Sequence, residues 1–310
     1  MSNSAYNIAS KANRTPGWWN NHQAVSATVS VIIVNFNSGS SLASTLASLA
    51  EGLEGLEWEA VVVDNASTDH SERAADGHLR VRLVRQESNV GFAEAVNTGT
   101  AETSAPCVLV LNPDCRLGRG SGRALIDELR KQTKCAVIGP RIEDPAGRLQ
   151  DSARGDPNLL TGLFGRTSIL SRLFPNLPVV RRNLASRPLS ASSGSSRVVD
   201  WVSGACMMVR REALAEVGGF DAAYFLYWED ADLCRRLRMA GWETRYTTSA
   251  SAVHDVGQSS RNARSLANRE FHRSAYRYFS TYVVPKRWHP ARGLGWIILT
   301  LRARLGSHIR

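Results

Sequence analysis

From Val29 onward the sequence alternates two kinds of hydrophobic pattern, and this alternation restricts the fold more than any other property of the chain. VSVIIV (29–34) is a continuous β-branched run, as a strand covered on both faces requires. Leu42, Leu46 and Leu49 then recur at helical spacing. AVVV (60–63), VRLV (81–84) and VLVL (108–111) read as further strands, with a helical stretch GFAEAVNTGTAE (91–102) before the last of them. A helix near 121–133, carrying Leu125 and Leu129, leads into AVIG (136–139). Strands separated by helical stretches predict βαβ units: an α/β chain with a mostly parallel central sheet and helices on both faces.

In such sheets ligands gather at the carboxyl ends of the strands. Here those ends carry NFN, DNASTD, ESNVGFA and NPDC, all small, polar and turn-forming. No GxGxxG follows the first strand and GxxxxGK[ST] occurs nowhere, so two common phosphate cradles are missing. Asp114 can ligate Mg²⁺ or Mn²⁺, which take one or two carboxylates plus substrate phosphates, or it can simply complete the turn after Pro113. Asp64 can accept the imide N–H of uracil or thymine, or close an Asx-turn in DNAS. His254, in SAVHDVGQSS, is a packed or solvated loop residue unless a metal site is independently implied.

LYWEDADLCRRL (226–237) sets Glu229, Asp230 and Asp232 behind an aromatic pair. Leu233, Leu237 and Ala240 follow at helical spacing, so a helix starts near Glu229 or Asp230. Acids in a first turn complement the helix dipole and cap free N–H groups. A proton-accepting role is the alternative, and the surrounding chain decides between them.

Composition bounds the rest. The 310 residues suffice for one large core or two modest domains, and no apolar run reaches the roughly 18 residues a membrane span needs. The first 23 residues contain no apolar h-region, and 1–27 is expected to be a mobile arm without a secretory signal. Five cysteines with no CxxC pair point to reduced thiols and a cytoplasmic protein. Four prolines and a Ser/Gly-rich stretch mark 150–197 as a long insertion between a first half (28–149) and a second (198–260). Nine of the ten net positive charges fall in residues 254–310, where eleven Arg or Lys face only Asp255 and Glu270. This basic helical tail (261–310) also carries LGWIILTL (294–301), too short to span a bilayer but suited to its interface. An anionic membrane face fits it better than nucleic acid, for which no module is present, and a solvated helix packed on the domain is the third possibility.

VSVIIVNFN, VVVDNASTD, NVGFAEAVNTG, LNPDC, SGACMMVRR, GGFDAAYFLYWEDADLCRR and HDVGQSS occur in the order seen in family 2 glycosyltransferases. The chain most resembles the rhamnosyltransferase-like branch, which includes enzymes that add L-rhamnose to polyprenyl-diphosphate sugars. The resemblance covers about 29–260 and implies a GT-A fold, with a nucleotide-binding half followed by an acceptor-binding half. It implies that Asn35, Asn37, Asp64, Asn65, Asn89, Gly91, Asn97, Asn112 and Asp114 contact the nucleotide sugar, with Asp64 on the base. The family's DxD metal motif falls on Asn112–Pro113–Asp114, leaving Asp114 as its only carboxylate, and a later metal-binding histidine falls on His254. The catalytic base falls in the pair Glu229–Asp230, with Asp230 matching the base itself, and Trp201, Gly204, Trp228 and Glu229 line the acceptor side. The implied reaction is inverting transfer from a dTDP- or UDP-sugar, first of all dTDP-L-rhamnose, to a hydroxyl of a lipid-linked or polysaccharide acceptor at the inner face of the plasma membrane. Direct displacement is consistent with the want of a Ser or Cys nucleophile beside an evident base. A sugar nucleotidyltransferase would carry arginine in the loop after the first strand, and NFNSGSS has none. A non-catalytic carbohydrate- or lipid-binding protein would have no need of Asp114, Asp230 and His254 together.

Overall fold

The computed structural model describes residues 27–156, 196–255 and 264–306, so the expected N-terminal arm and most of the expected insertion lie outside the described residues. The elements are β1 (Val29–Asn35), α1 (Ser41–Gly52), β2 (Trp58–Asp64), β3 (Val81–Arg85), α2 (Phe92–Ala101), β4 (Cys107–Leu111), β5 (Cys115–Leu117), α3 (Ser121–Lys131) and β6 (Cys135–Glu143). After them come β7 (Ala153–Arg154), β8 (Arg197–Val199), β9 (Trp201–Val202), β10 (Cys206–Arg210), α4 (Arg211–Glu216), α5 (Glu229–Met239), β11 (Glu243–His254), α6 (Arg264–Tyr278) and α7 (Pro290–Gly306).

Among the described residues one nine-stranded sheet dominates, in the order β3-β2-β1-β4-β10-β6-β11-β5, with β8 also on β11. The first four strands are parallel, as their buried β-branched runs predict. Every residue of β1 is buried. The other half is mixed. β10 runs antiparallel between β4 and β6, β11 is parallel to β6, and β5 closes the edge antiparallel to β11.

That mixing has a positional consequence. An antiparallel neighbour begins where the parallel strand ends, so the start of β10 meets the exit of β4, with Cys206 opposite Leu111 and Asn112 N–H bonded to Ala205 O at 2.9 Å. The β5–β11 register likewise sets His254 across from Cys115, beside Asp114.

Helices cover both faces. Leu42, Leu46 and Leu49 of α1 and Leu125, Ile126 and Leu129 of α3 pack on one side, and Ala93 and Val96 of α2 with Leu233 and Leu237 of α5 on the other. α2 lies so close to the sheet that a Cβ on Gly99 would sit 2.7 Å from Ile32 Cγ2 and 3.0 Å from Val63 Cγ2. α6 is a packed element and not merely a basic tail: Ala267, Glu270, Ser274, Ala275 and Tyr278 are all buried. Ser274 Oγ donates to Leu226 O at 3.0 Å, and Arg277 pairs with Asp221 at 2.8 Å, which fixes α6 against the segment preceding α5. All five cysteines are free.

Gly99→Val should lower stability by about 1–3 kcal/mol through overpacking, seen as a lower urea midpoint with an unchanged slope. An unchanged midpoint would mean that α2 can lift from the sheet at no cost.

Candidate active site

The exits of β1 and β2 form a closed polar knot. Asn35, fully buried, donates from Nδ2 to Asp64 Oδ1 (2.8 Å), Ser71 Oγ (2.9 Å) and Ser67 Oγ (3.1 Å), and its Oδ1 accepts from Ser38 Oγ (2.5 Å). Asp64 Oδ1 also accepts from Ser67 Oγ at 2.6 Å, while Oδ2 takes only the Ser67 N–H at 3.1 Å. The Asp64 carboxylate thus closes the DNAS loop three residues on, at Ser67, in place of the alternative Asx-turn, and retains lone-pair capacity on Oδ2 for a base N–H. Asn37, in left-handed backbone (φ 49°), accepts the Thr68 N–H at 2.8 Å and holds the rim of this knot.

Asn65 Nδ2 donates to Gly91 O at 3.1 Å, and Asn89 Oδ1 accepts the Gly91 N–H at 3.0 Å, so both order the loop before α2. Gly91 has φ +89°, and a Cβ there would lie 2.6 Å from Phe225 O, so glycine is required for the close approach to the acceptor-side chain. Asn97 is the outlier. Its amide is spent on the Phe220 backbone, donating to O and accepting from N–H at 2.9 Å each, so it joins α2 to the second half and does not converge with the strand-end group.

Asp114 and His254 do converge. Asp114 Oδ1 lies 3.2 Å from His254 Nε2, yet it is buried without an aligned hydrogen-bond partner. Asn112 Nδ2 stands 3.5 Å from the same ring nitrogen. Among the described residues no group of three or more His, Cys, Asp or Glu gathers into a metal cage. A two-residue site of this kind suits an ion that takes the rest of its shell from a diphosphate and water.

Behind them the acid pair occupies the first turn of α5. Tyr227 (φ 66°) and Trp228 (φ 71°) are consecutive left-handed residues, costly for aromatic side chains, and packing holds them there. The Phe271 ring of α6 lies 5.8 Å from Tyr227 and 5.9 Å from Trp228, and Tyr278 lies 5.4 Å from Trp228. The bend presents three acids in three different environments. Asp232 is buried and spent, accepting from Tyr282 Oη and Arg236 Nε at 2.7 Å each. Glu229 is buried with Oε2 unpartnered, and burial first, then the charge of Asp230, pushes its carboxyl well above the usual range. Asp230 is half-buried. Its carboxyl is raised by burial, but the Gly204 N–H on Oδ2 (3.0 Å) and the Ala231 N–H on Oδ1 (2.8 Å) favour the ionised form. The pair is thus unequal: its surroundings favour the protonated form of Glu229, while at Asp230 two N–H donors oppose the effect of burial.

Gly204 is thereby an anchor for Asp230, and Trp201, with Arg154 5.0 Å over its ring and Nε1 donating to Gly155 O at 3.1 Å, walls the same side. Burial, and then the charges of Glu229 and Asp114, raise the Tyr227 hydroxyl. The parallel exits of β1, β2 and β4, with Asn112 N–H on Ala205 O and Gly204 N–H on Asp230, bring the strand-end knot, the Asp114–His254 pair and the acids of α5 to one edge of the sheet. The sequence marked Tyr227 only as one of an aromatic pair beside the acids, and gave no signal for Phe271, which braces the bend, or for Arg154, which stacks on Trp201.

Among known proteins, the sequence profile of glycosyl transferase family 2 matches residues 30–218, and that of glycosyl transferase family group 2 matches 179–297. An N-acetylglucosaminyl-diphospho-decaprenol L-rhamnosyltransferase of Mycobacterium tuberculosis is 34% identical over 275 residues, covering 83% of this chain and 87% of that one. The low-salt glycan biosynthesis hexosyltransferase Agl10 of Haloferax volcanii is 26% identical over 231 residues, 73% of this chain and 67% of the other. Among solved structures, a mannosyltransferase from Pyrobaculum calidifontis in complex with GDP-Man and Mn²⁺ superposes with a TM-score of 0.56 at 17% identity, over 92% of this chain and 76% of that one. GalNAc-T7 with UDP, GalNAc and Mn²⁺ gives 0.56 at 16% identity, over 92% of this chain and 58% of that one. The structural likenesses bear on the fold.

Because the folded-state value of Glu229 lies above its unfolded value, the stability it contributes is present at low pH and is lost as pH rises through the folded value. Glu229→Gln should therefore resemble the wild type in acid and become the more stable of the two as pH rises. Parallel stability–pH curves for the two proteins would contradict the protonation assigned to Glu229.

Proposed function

Because the chain belongs to glycosyl transferase family 2, we propose that it transfers L-rhamnose from dTDP-L-rhamnose, with inversion, to a hydroxyl of a polyprenyl-diphosphate-linked sugar in cell-envelope glycan synthesis. The chain is a glycosyltransferase with the GT-A architecture. The donor and acceptor rest on one observation, the 34% identity to the mycobacterial rhamnosyltransferase over 87% of its length.

Inverting transfer needs a proton acceptor for the attacking hydroxyl and neutralisation of the departing diphosphate. Asp230 is the acid that supports the first role: its carboxylate is held by two backbone N–H groups and retains a lone pair on each oxygen. Glu229, whose carboxyl burial pushes well above the usual range and whose Oε2 is buried without a partner, is suited to donate a hydrogen bond to an acceptor oxygen and orient it toward Asp230. Asp64 Oδ2 accepts the imide N–H of thymine or uracil, with Asn35 and Ser67 fixing the carboxylate.

The orphaned Asp114 Oδ1 facing His254 Nε2 fits a divalent cation, Mg²⁺ or Mn²⁺, held by these two residues. When bound, such an ion supplies charge neutralisation to the diphosphate. Asn112, as an amide, adds no negative charge, so Asp114 carries the electrostatic part of the site.

The tail suits a peripheral position at the inner face of the plasma membrane. Leu294, Ile297 and Leu301 form an exposed stripe at helical spacing on α7, joined by exposed Trp288 and Trp296. Among the described residues no helix is long and apolar enough to cross a membrane. Lys286, Arg287 and Arg292 lie on the same segment, and each basic residue near an anionic surface adds about 1 kcal/mol of binding.

Incubating the protein with dTDP-L-rhamnose, UDP-hexoses and GDP-mannose, with and without Mn²⁺, tests the reading through donor turnover on a polyprenyl-diphosphate acceptor. Transfer from dTDP-L-rhamnose alone is expected, and Asp230→Asn should keep nucleotide affinity while losing about 10²–10⁴-fold in turnover. Transfer from a UDP-hexose alone would replace the donor assignment, and a fully active Asp230→Asn would return the acids to a capping role.

Sedimentation with vesicles containing anionic lipid should pull the protein down at low salt, less so at high salt, and less for Leu294→Glu/Ile297→Glu. Equal sedimentation of wild type and variant would remove α7 as the contact.

A further inference from the structure

We propose that Gln150 is a positioning residue that fixes the proton of the His254 ring on Nδ1, so that Nε2 faces Asp114 as a bare lone pair. The inference rests on the metal role proposed for the Asp114–His254 pair and names a residue that pair depends on.

The backbone first brings Gln150 to the ring. After β6 the chain reverses in a tight turn, in which Asp144 N–H donates to Arg148 O at 2.9 Å and Asp144 Oδ1 accepts the N–H groups of Ala146 and Arg148 at 2.9 Å each. Gly147 takes the left-handed position of that turn, with φ +76°. The returning strand pairs Leu149 with Glu143 and donates Gln150 N–H to Ile142 O at 2.8 Å. On its other side the end of β6 is paired with β11, Ala252 with Ile142 and Val253 with Glu143. Gln150 is thus pinned across the end of β6 from the last residue of β11.

Its carboxamide then grips His254 twice. Nε2 donates to the His254 carbonyl oxygen at 2.7 Å, and Oε1 lies 3.1 Å from Nδ1 of the same residue. A carbonyl oxygen only accepts, so it decides which end of the amide is which: the NH₂ must face it, and Oε1 must face the ring. Oε1 also only accepts, so the hydrogen bond at Nδ1 exists only if Nδ1 carries the proton. In a neutral ring this leaves Nε2 unprotonated.

What Nε2 meets explains why that matters. Asp114 Oδ1 is 3.2 Å away and has no aligned hydrogen-bond partner, and Asn112 Nδ2, at 3.5 Å, is a weak donor to the same nitrogen. Were the proton on Nε2, the tautomer that a free imidazole prefers in water, it would occupy the lone pair and close the 3.2 Å gap between ring and Asp114 oxygen to a cation. The grip of Gln150 prevents this closure. It leaves a lone pair and a carboxylate oxygen facing one another, an arrangement that a bound cation relieves. A partner on the far ring nitrogen is also the usual means of orienting a ligating histidine.

The protein without added metal, at about pH 8 where an ordinary histidine ring is neutral, provides the direct test. The ¹⁵N shifts of His254, assigned by their loss in His254→Asn, should show a protonated Nδ1 and a bare Nε2. Gln150→Leu should move the proton to Nε2, whereas Gln150→Glu, which keeps an acceptor at Nδ1, should hold it in place. Mn²⁺ titrated in the presence of dTDP and followed by electron paramagnetic resonance should bind about 10–100-fold more weakly to Gln150→Leu, with Gln150→Glu nearer the wild type. A protonated Nε2 in the wild type overturns the proposal without recourse to any variant, as does a Gln150→Leu protein that keeps Nδ1 protonated. A wild type with protonated Nδ1 that binds no Mn²⁺ upholds the proton assignment and overturns the metal role instead.

Discussion

The pocket depends on how β4 is paired. On one side it runs parallel to β1, which brings the exits of β1, β2 and β4 to a common edge. On the other it meets β10 running the opposite way, so a strand entrance arrives where the others leave. Gly204, two residues before β10, then offers its N–H to Asp230, and Ala205 O takes the N–H of Asn112. A parallel strand in that place would leave the edge lined only by residues of the first half. The antiparallel insertion is what lets one chain surround a donor and an acceptor at once.

Within that edge the chemistry comes from unequal solvation of similar groups. Glu229, Asp230 and Asp232 follow one another in a single helical turn, and all sit in the favourable field of the helix N-terminus. Partners separate them. Asp232 is neutralised by Arg236 and Tyr282, Asp230 is stabilised as an anion by two N–H groups, and Glu229 is left with a bare buried oxygen. At the Asp114–His254 pair, too, one carboxylate oxygen is buried without a partner.

Much of this was legible in the residues. The β-branched runs located the buried parallel strands, because a strand covered on both faces has no polar alternation to break the run. The polar stretches after each run marked the edge where the strand exits gather, and motif order paired Asp114 with His254 across 140 residues of chain. The direction of β10 was not legible, because CMMVR reads the same to hydrophobic pattern whichever way it runs. Asn97 misled for a related reason: its neighbours in sequence belong to the ligand edge, but helical spacing turns its amide toward Phe220. The left-handed Tyr227 and Trp228 carry no local signal at all, since aromatic residues disfavour that conformation and only the rings of α6 hold them in it. Gln150 was hidden by a turn whose partner strand lies about a hundred residues away.

The docking of α6 has a mechanical corollary. Phe271 and Tyr278 of α6 brace the Tyr227–Trp228 bend, and on either side of them the chain is joined to α7, by Asn268 Nδ2 bonding to Ala303 O at 2.7 Å and by Gly295 lying flush against the Phe279 ring. The Arg292 guanidinium closes the connection from the other side, donating to Ser280 O at 2.9 Å. The helix that carries the exposed stripe and the bend that carries the acids are therefore fastened to the same helix. Any surface that takes up the stripe fixes the elevation of the pocket above it. The enzyme would then act as a height gauge, admitting an acceptor whose hydroxyl stands at that level and passing over one tethered too short or held too far out.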